Sequence, residues 1–260
     1  MPRYKMVVEY DGTPFVGFQF QPGLPTVQDV LEQASQRLNQ DIRPRVFVAG
    51  RTDAGVHATG QVIHVDLHKD YPPLRLRTAM NAHLRHVVPS GSVAVVAVDR
   101  VEDTFHARFG AQERAYVYTL LNRPAPPALQ RHRVWHVPYP LNLETMNQAA
   151  QVLVGHHDFT TFRAADCQSA SPCKTLEALE VKHEGFPHEG LVTIHARSRS
   201  FLHHQVRLMV GALVHVGRGK WTVEDVAAAL AARGSRHAAP MAPAHGLCLV
   251  HVGYGEQVGP

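Results

Sequence analysis

Residues Gly50-Arg51-Thr52-Asp53-Ala54-Gly55-Val56-His57 set one carboxylate beside an arginine and between two glycines, directly after the apolar run Val46–Ala49. Glycine lets a backbone turn tightly and approach a ligand closely, so a strand is expected to deliver Asp53 to a tight loop. Arg51 would favour the ionised carboxylate, which is the nucleophilic form. The same residues also suit a plain Asp-Ala-Gly turn in which Arg51 pairs with its own Asp53. A phosphate-cradling loop is excluded, because no Lys-Ser/Thr pair follows the second glycine.

Other residues stand out by context. Tyr116 and Tyr118 share one face of the alternating run Arg114–Leu121, where aromatics commonly serve packing. Arg207 lies among Val206, Met209, Val210 and Leu213, and a charge in such surroundings needs a partner. From Leu191 to Lys220 there is no acidic residue, whereas Arg197, Arg199, Arg207, Arg218 and Lys220 are basic, so the stretch could track phosphates. The pairs His156-His157 and His203-His204 invite a metal reading. Adjacent residues on a regular element point apart, however, and neither His-Glu-x-x-His nor Cys-x-x-Cys is present, so no metal is expected. Cys167 and Cys173 are expected to be free thiols, since three cysteines make no disulfide framework.

The elements that must position these residues alternate. Tyr4–Tyr10 is a strand ending at the turn Asp11-Gly12. Thr26 caps a helix, with Asp29 three residues on as a variant capping box and Val27, Val30, Leu31, Ala34 and Leu38 on one face. Val46–Ala49 and Gln61–Leu67 read as strands, Leu76–Leu84 as a helix and Ser92–Val98 as a strand. The second half repeats this rhythm. It has a strand at Arg114–Leu121, a helix capped by Asn142 and stopping at Gly155, and strands at Leu176–Val181 and Leu191–Ala196. A long apolar helix over Phe201–Val216, a helix opened by Thr222 and a last strand to Tyr254 follow. Thr26-Val-Gln-Asp-Val and Thr222-Val-Glu-Asp-Val read as two helices sharing one cap chemistry, with a distant duplication as the alternative. The predicted fold is α+β, two similar ferredoxin-like or RRM-like halves with a mixed, mainly antiparallel sheet and flanking helices. The halves are expected at 1–102, carrying the Asp53 loop, and at 103–260.

The chain has a net charge of +4 and a pI of about 9.1, which permits a phosphate-rich partner without requiring one. Charged residues at 18% against 45% hydrophobic argue for a packed core. Met-Pro-Arg-Tyr-Lys lacks the apolar segment of a secretory signal, and no run reaches the ~20 apolar residues of a membrane span. A soluble, cytoplasmic protein is expected.

Gly50–His57 followed by Gly60-Gln61-Val62 resembles the signature of the tRNA pseudouridine synthase A family. Further segments match in the same order: Glu9–Gly12 with Phe15, Gly17 and Gln19; Thr26-Val27-Gln28; Phe105-His106-Ala107-Arg108-Phe109; and Arg114-Ala115-Tyr116-Val117-Tyr118. Asp158–Arg163, Phe201–Arg207 with Gly211, and Ala242–Leu249 complete the series, so the resemblance runs from Tyr4 to Tyr254. Phe18 stands where the family usually has Trp, and Gln205 where Met is common. The resemblance implies an isomerase converting uridine to pseudouridine in the anticodon stem-loop of tRNA, at tRNA positions 38, 39 and 40, as a homodimer and without a cofactor. Asp53 would be the nucleophile, attacking either the ribose anomeric carbon or C6 of the uracil, or else stabilising charge as the bond breaks. Tyr116 would stack on the target base, Arg207 would pair with Asp53, and Arg51 would contact substrate. Phe18, Gln19, His57, Arg108 and His203 are expected to touch RNA. The alternatives are a non-catalytic RNA-binding module of paired α+β units, which the intact Asp53 loop disfavours, and a metal-assisted hydrolase, which the ligand spacing disfavours.

Overall fold

The structure, a computed structural model, describes residues 1–88, 90–185, 190–234 and 239–255. In chain order its elements are β1 (Arg3–Tyr10), α1 (Val27–Gln36), β2 (Phe47–Val48), β3 (His57–Asp66), α2 (Pro73–Val87), β4 (Val93–Val101), β5 (Ala111–Leu121) and β6 (Trp135–His136). They continue with α3 (Leu143–Leu153), β7 (Gly155–Asp158), β8 (Cys173–His183), β9 (Leu191–Ser198), α4 (Gln205–Gly217), α5 (Val223–Ala232) and β10 (Leu247–Tyr254). The chain is α+β and divides into two compact units. One is Met1–Gln112 closed by the last strand from Leu249 on, and the other is Glu113–Cys248.

The first unit orders its strands β4-β1-β3-β10, with the short β2 also paired to β3. β1 runs antiparallel to both neighbours, Met6 standing opposite Ile63 and Val98. Alternate residues of β1, Tyr4, Met6, Val8 and Tyr10, are buried, as a period of two requires. α1 adds Val27, Val30, Leu31 and Ala34 to this core and α2 adds Leu76, Met80 and Leu84. Leu38, expected on the α1 face, lies in the turn beyond the helix and is half-buried. β3 is buried on both faces from Gln61 to Val65, as befits a strand with neighbours on both sides.

The second unit orders its strands β5-β9-β8-β7, all antiparallel, with β6 parallel to β5 through Leu120 and Trp135. α3 packs on β8, α4 and α5. α4 is buried on nearly every side, which explains its continuous apolar sequence. It begins at Gln205 rather than Phe201, because His204 adopts φ 64°, a left-handed conformation outside the helical range. β6 and β7 were not evident in the sequence; both are too short to show a period.

The two similar caps differ in detail. Thr222 accepts from Asp225 N and the Asp225 carboxylate accepts from Thr222 N, a complete capping box. Thr26 accepts from Asp29 N, but the Asp29 carboxylate accepts from Arg43 at 2.7 Å and Gln33 at 2.8 Å. No helix among the described residues is long and apolar enough to cross a membrane, and Cys167, Cys173 and Cys248 form no disulfide.

His64 of β3 shows how the first core responds to pH. It is 1% exposed, stacks on Phe47 at 4.7 Å, and its Nδ1 accepts from Ala107 N at 3.1 Å. Burial first, then repulsion from Arg3 and His106, pushes its pKa from 6.5 down to about 4. The folded state therefore favours the neutral ring. Its contribution, on the order of 3 kcal/mol, is complete above pH 6.5 and is lost as pH falls through about 4. Melting at stepped pH is expected to show stability declining over that window, and less steeply in His64→Gln. His106, His195 and His215, whose imidazoles burial also holds below the ordinary value, add to the residual slope.

Candidate active site

β2 ends beside Ala49, whose N–H donates to Val62 O of β3 at 2.8 Å, and the chain then turns through Gly50–Val56 before entering β3. Backbone bonds shape this turn: Val56 N donates to Asp53 O at 3.2 Å, Gly55 N to Phe15 O at 3.3 Å, and Phe18 N to Thr52 O at 3.0 Å. Beneath it, buried Tyr10 and Thr52 share a hydroxyl hydrogen bond of 2.8 Å. The fully buried Gln61 donates to Tyr10 Oη at 3.2 Å and to Gly50 O at 2.8 Å. Gln61, Tyr10 and Thr52 thus position the loop, although sequence reasoning assigned none of them a role. Asp53 is half-buried at its rim.

Two glycines make the close packing possible. Gly17 adopts φ 110°, and a Cβ there would sit 3.0 Å from Thr52 O. A Cβ on Gly12 would sit 2.1 Å from Val56 O, so backbone must move to admit it. Gly12→Ala is therefore expected to cost about 1–3 kcal/mol of stability or more and to displace the Asp53 loop. A lowered melting temperature together with reduced turnover checks this; a variant as stable and active as the parent contradicts it.

The expected flanking residues take different positions. Arg51 is exposed and forms no ion pair with Asp53 among the described residues. Its pKa is lowered, by burial first and then by the nearby positive charge of Arg108. The plain turn, with Arg51 paired to its own Asp53, is thus not what forms. Gln19 and Arg108 are exposed. His57 is 3% exposed and accepts from Gly12 N at 3.0 Å, with Asp11 Oδ1 at 3.2 Å. Phe18 is fully buried and tilted against Tyr10 at 6.1 Å. It offers no ring face to a base, and its direct contribution to the site is the backbone bond to Thr52.

Tyr116, Arg207 and His203 belong to the second unit. Tyr116 points to the buried side of β5, 8% exposed, with Phe201 edge-on at 5.3 Å. Arg207 is 9% exposed on α4; its Nε donates to Ala242 O at 2.9 Å and its own carbonyl accepts from Ala242 N at 3.1 Å. Tyr118, fully buried, donates to Pro243 O at 2.8 Å, and burial pushes its phenol far up. His203 is exposed and 3.2 Å from Asp166. The left-handed His204 brings the two imidazoles to 3.9 Å, so this pair does not point apart. His156 and His157, on a regular strand, go separately to Thr175 and Val154. Arg197 of the acid-free stretch meets Glu113 at 3.2 Å and Glu177 at 3.9 Å, acids contributed by neighbouring strands.

Against known proteins, the family described as tRNA pseudouridine synthase matches residues 6–110 and 149–255, which include Asp53 and its loop. The chain belongs to the tRNA pseudouridine synthase family. The protein named tRNA pseudouridine synthase A from Azorhizobium caulinodans is 54% identical over 258 residues, covering 99% of this chain and 96% of that protein. The protein of that name from Caulobacter vibrioides is 52% identical, covering 98% and 100%. That from Paramagnetospirillum magneticum is 51% identical, covering 100% and 98%. Membership in the tRNA pseudouridine synthase family thus extends over the whole chain, as the ordered motifs led us to expect.

Proposed function

We propose that this protein is an isomerase that converts uridine to pseudouridine in tRNA. The observation that carries the reading is an intact Asp53 loop in a chain that aligns end to end with relatives named for this activity. In the reaction the N1–C1′ bond of uridine breaks, the uracil turns, and C5 bonds to C1′. The C5 proton leaves and N1 gains one, so atoms and electrons balance without a cofactor.

Asp53 is the nucleophile in this account. The loop backbone is held by hydrogen bonds, Val56 N donating to Asp53 O and Phe18 N to Thr52 O, and these fix where the Asp53 side chain starts. Arg207 is proposed to pair with that carboxylate, and Tyr116 to stack on the extruded base, which returns ~1–3 kcal/mol of the unstacking cost. Arg51 and Arg108 contact substrate phosphates, with Gln19 and His203 as further RNA contacts, while the buried His57 holds the Asp11-Gly12 turn. The targets are the anticodon stem-loop uridines at tRNA positions 38, 39 and 40, and the working form is a cytoplasmic homodimer. Mapping pseudouridine in tRNA from cells with and without this protein tests the reading. Loss of modification confined to those positions supports it. An unchanged map overturns it.

A further inference from the structure

The turn after β4 carries a feature that the chemistry above does not use. Phe109 is 75% exposed, yet the backbone that presents it is held from every side. Ala107 N donates to His64 Nδ1 at 3.1 Å, Arg108 N and Phe109 N donate to His106 Nδ1 at 3.1 and 3.4 Å, and Gly110 N donates to His106 O at 2.9 Å. The Tyr254 hydroxyl donates to Ala107 O at 2.7 Å, and Arg3, itself gripped by Asp66, donates to Phe105 O at 2.8 Å. A large apolar ring is thus fixed in water on a rigid mount, an arrangement that lowers the cost of binding.

Around Phe109 runs a connected strip of rings and cations. The His106 ring lies 4.5 Å from Phe109 and 5.4 Å from Phe47, and Arg45 sits over Phe47 at 4.9 Å. At the other end Arg108 lies over Phe109 at 5.8 Å and close enough to Arg51 to disfavour its charge. Arg45 and Arg51 form no ion pair among the described residues, and Arg51 is two residues from Asp53. Ring faces interleaved with cations suit a chain of bases and phosphates.

We infer that the Arg45–Phe47–His106–Phe109–Arg108 strip is a second RNA contact, a track on which unpaired nucleotides beside the target stack against Phe109 while Arg45 and Arg108 meet their phosphates. The inference rests on the proposed tRNA substrate and extends it to residues outside the Asp53 loop.

The test is tRNA binding and steady-state kinetics of Phe109→Ala, Phe109→Tyr and Arg45→Gln, with melting curves and solution mass for each. Phe109→Ala is expected to weaken tRNA binding about tenfold and to raise KM rather than lower kcat, and Phe109→Tyr to restore both. Arg45→Gln is expected to reduce the slope of log affinity against log salt by about one. Unchanged affinity and salt slope in folded variants, with normal binding by the parent protein, overturns the track alone. Failure of the parent protein to bind tRNA overturns the proposed function instead. A changed solution mass for Phe109→Ala with tRNA affinity retained assigns the ring to a contact with a second copy and also overturns the track.

Discussion

Asp53→Asn is expected to lower pseudouridine formation by about three orders of magnitude or more while changing tRNA affinity by less than about threefold. The backbone at residue 53 and beside it is held by Val56 N to Asp53 O at 3.2 Å and Phe18 N to Thr52 O at 3.0 Å, bonds that do not use the Asp53 side chain. Asparagine preserves them and nearly matches aspartate in shape, so only the negative charge and its nucleophilicity are removed. Binding draws on many phosphate contacts and loses little. Single-turnover rates and binding titrations of parent and variant check the split. Turnover like the parent's would remove Asp53 from the chemistry, and a matching loss of affinity would reassign it to binding.

Arg207→Lys is expected to lower turnover roughly tenfold to hundredfold, the equivalent of one charge-assisted hydrogen bond, with a smaller loss of affinity. Lysine keeps the charge but lacks the planar fork. In the structure Arg207 Nε is already committed to Ala242 O, so the guanidinium can hold the 240–246 segment with one edge and present its other nitrogens elsewhere. A lysine ammonium cannot divide itself in that way. Because that bond also steadies α4, the melting temperature must be followed alongside. A stable variant with unchanged kcat contradicts the role, and one that loses only affinity makes Arg207 a phosphate contact.

Features set by near neighbours in the chain were legible in the sequence. The caps at Thr26, Asn142 and Thr222 form where their residue types require. The alternation of β5 places Tyr116 and Tyr118 on one buried face, and the Asp53 loop follows its short strand. Features decided by distant residues were not legible. Whether Phe18 lies inside or outside depends on Tyr10 and the loop above it, which no local pattern encodes. Arg51 looks like the natural partner of Asp53 at a separation of two residues, but it is exposed beside Arg108. The close imidazoles of His203 and His204 follow from one left-handed residue that the apolar run to Val216 concealed. Arg197 looked available only because its acids, Glu113 and Glu177, lie on other strands. The Phe109 mount likewise draws on β1, β3 and β10, which meet only in the folded unit.

The central claim is that the carboxylate of Asp53 drives migration of the ribose bond from N1 to C5 of uridine. Bonding at C5 expels its hydrogen, so tRNA carrying tritium at C5 of uridine reports the reaction directly. The parent protein is expected to release tritium to water in proportion to the pseudouridine formed, and Asp53→Asn to release none above background. Equal release by both proteins, or pseudouridine-free tRNA after prolonged incubation with the parent protein, would contradict the account.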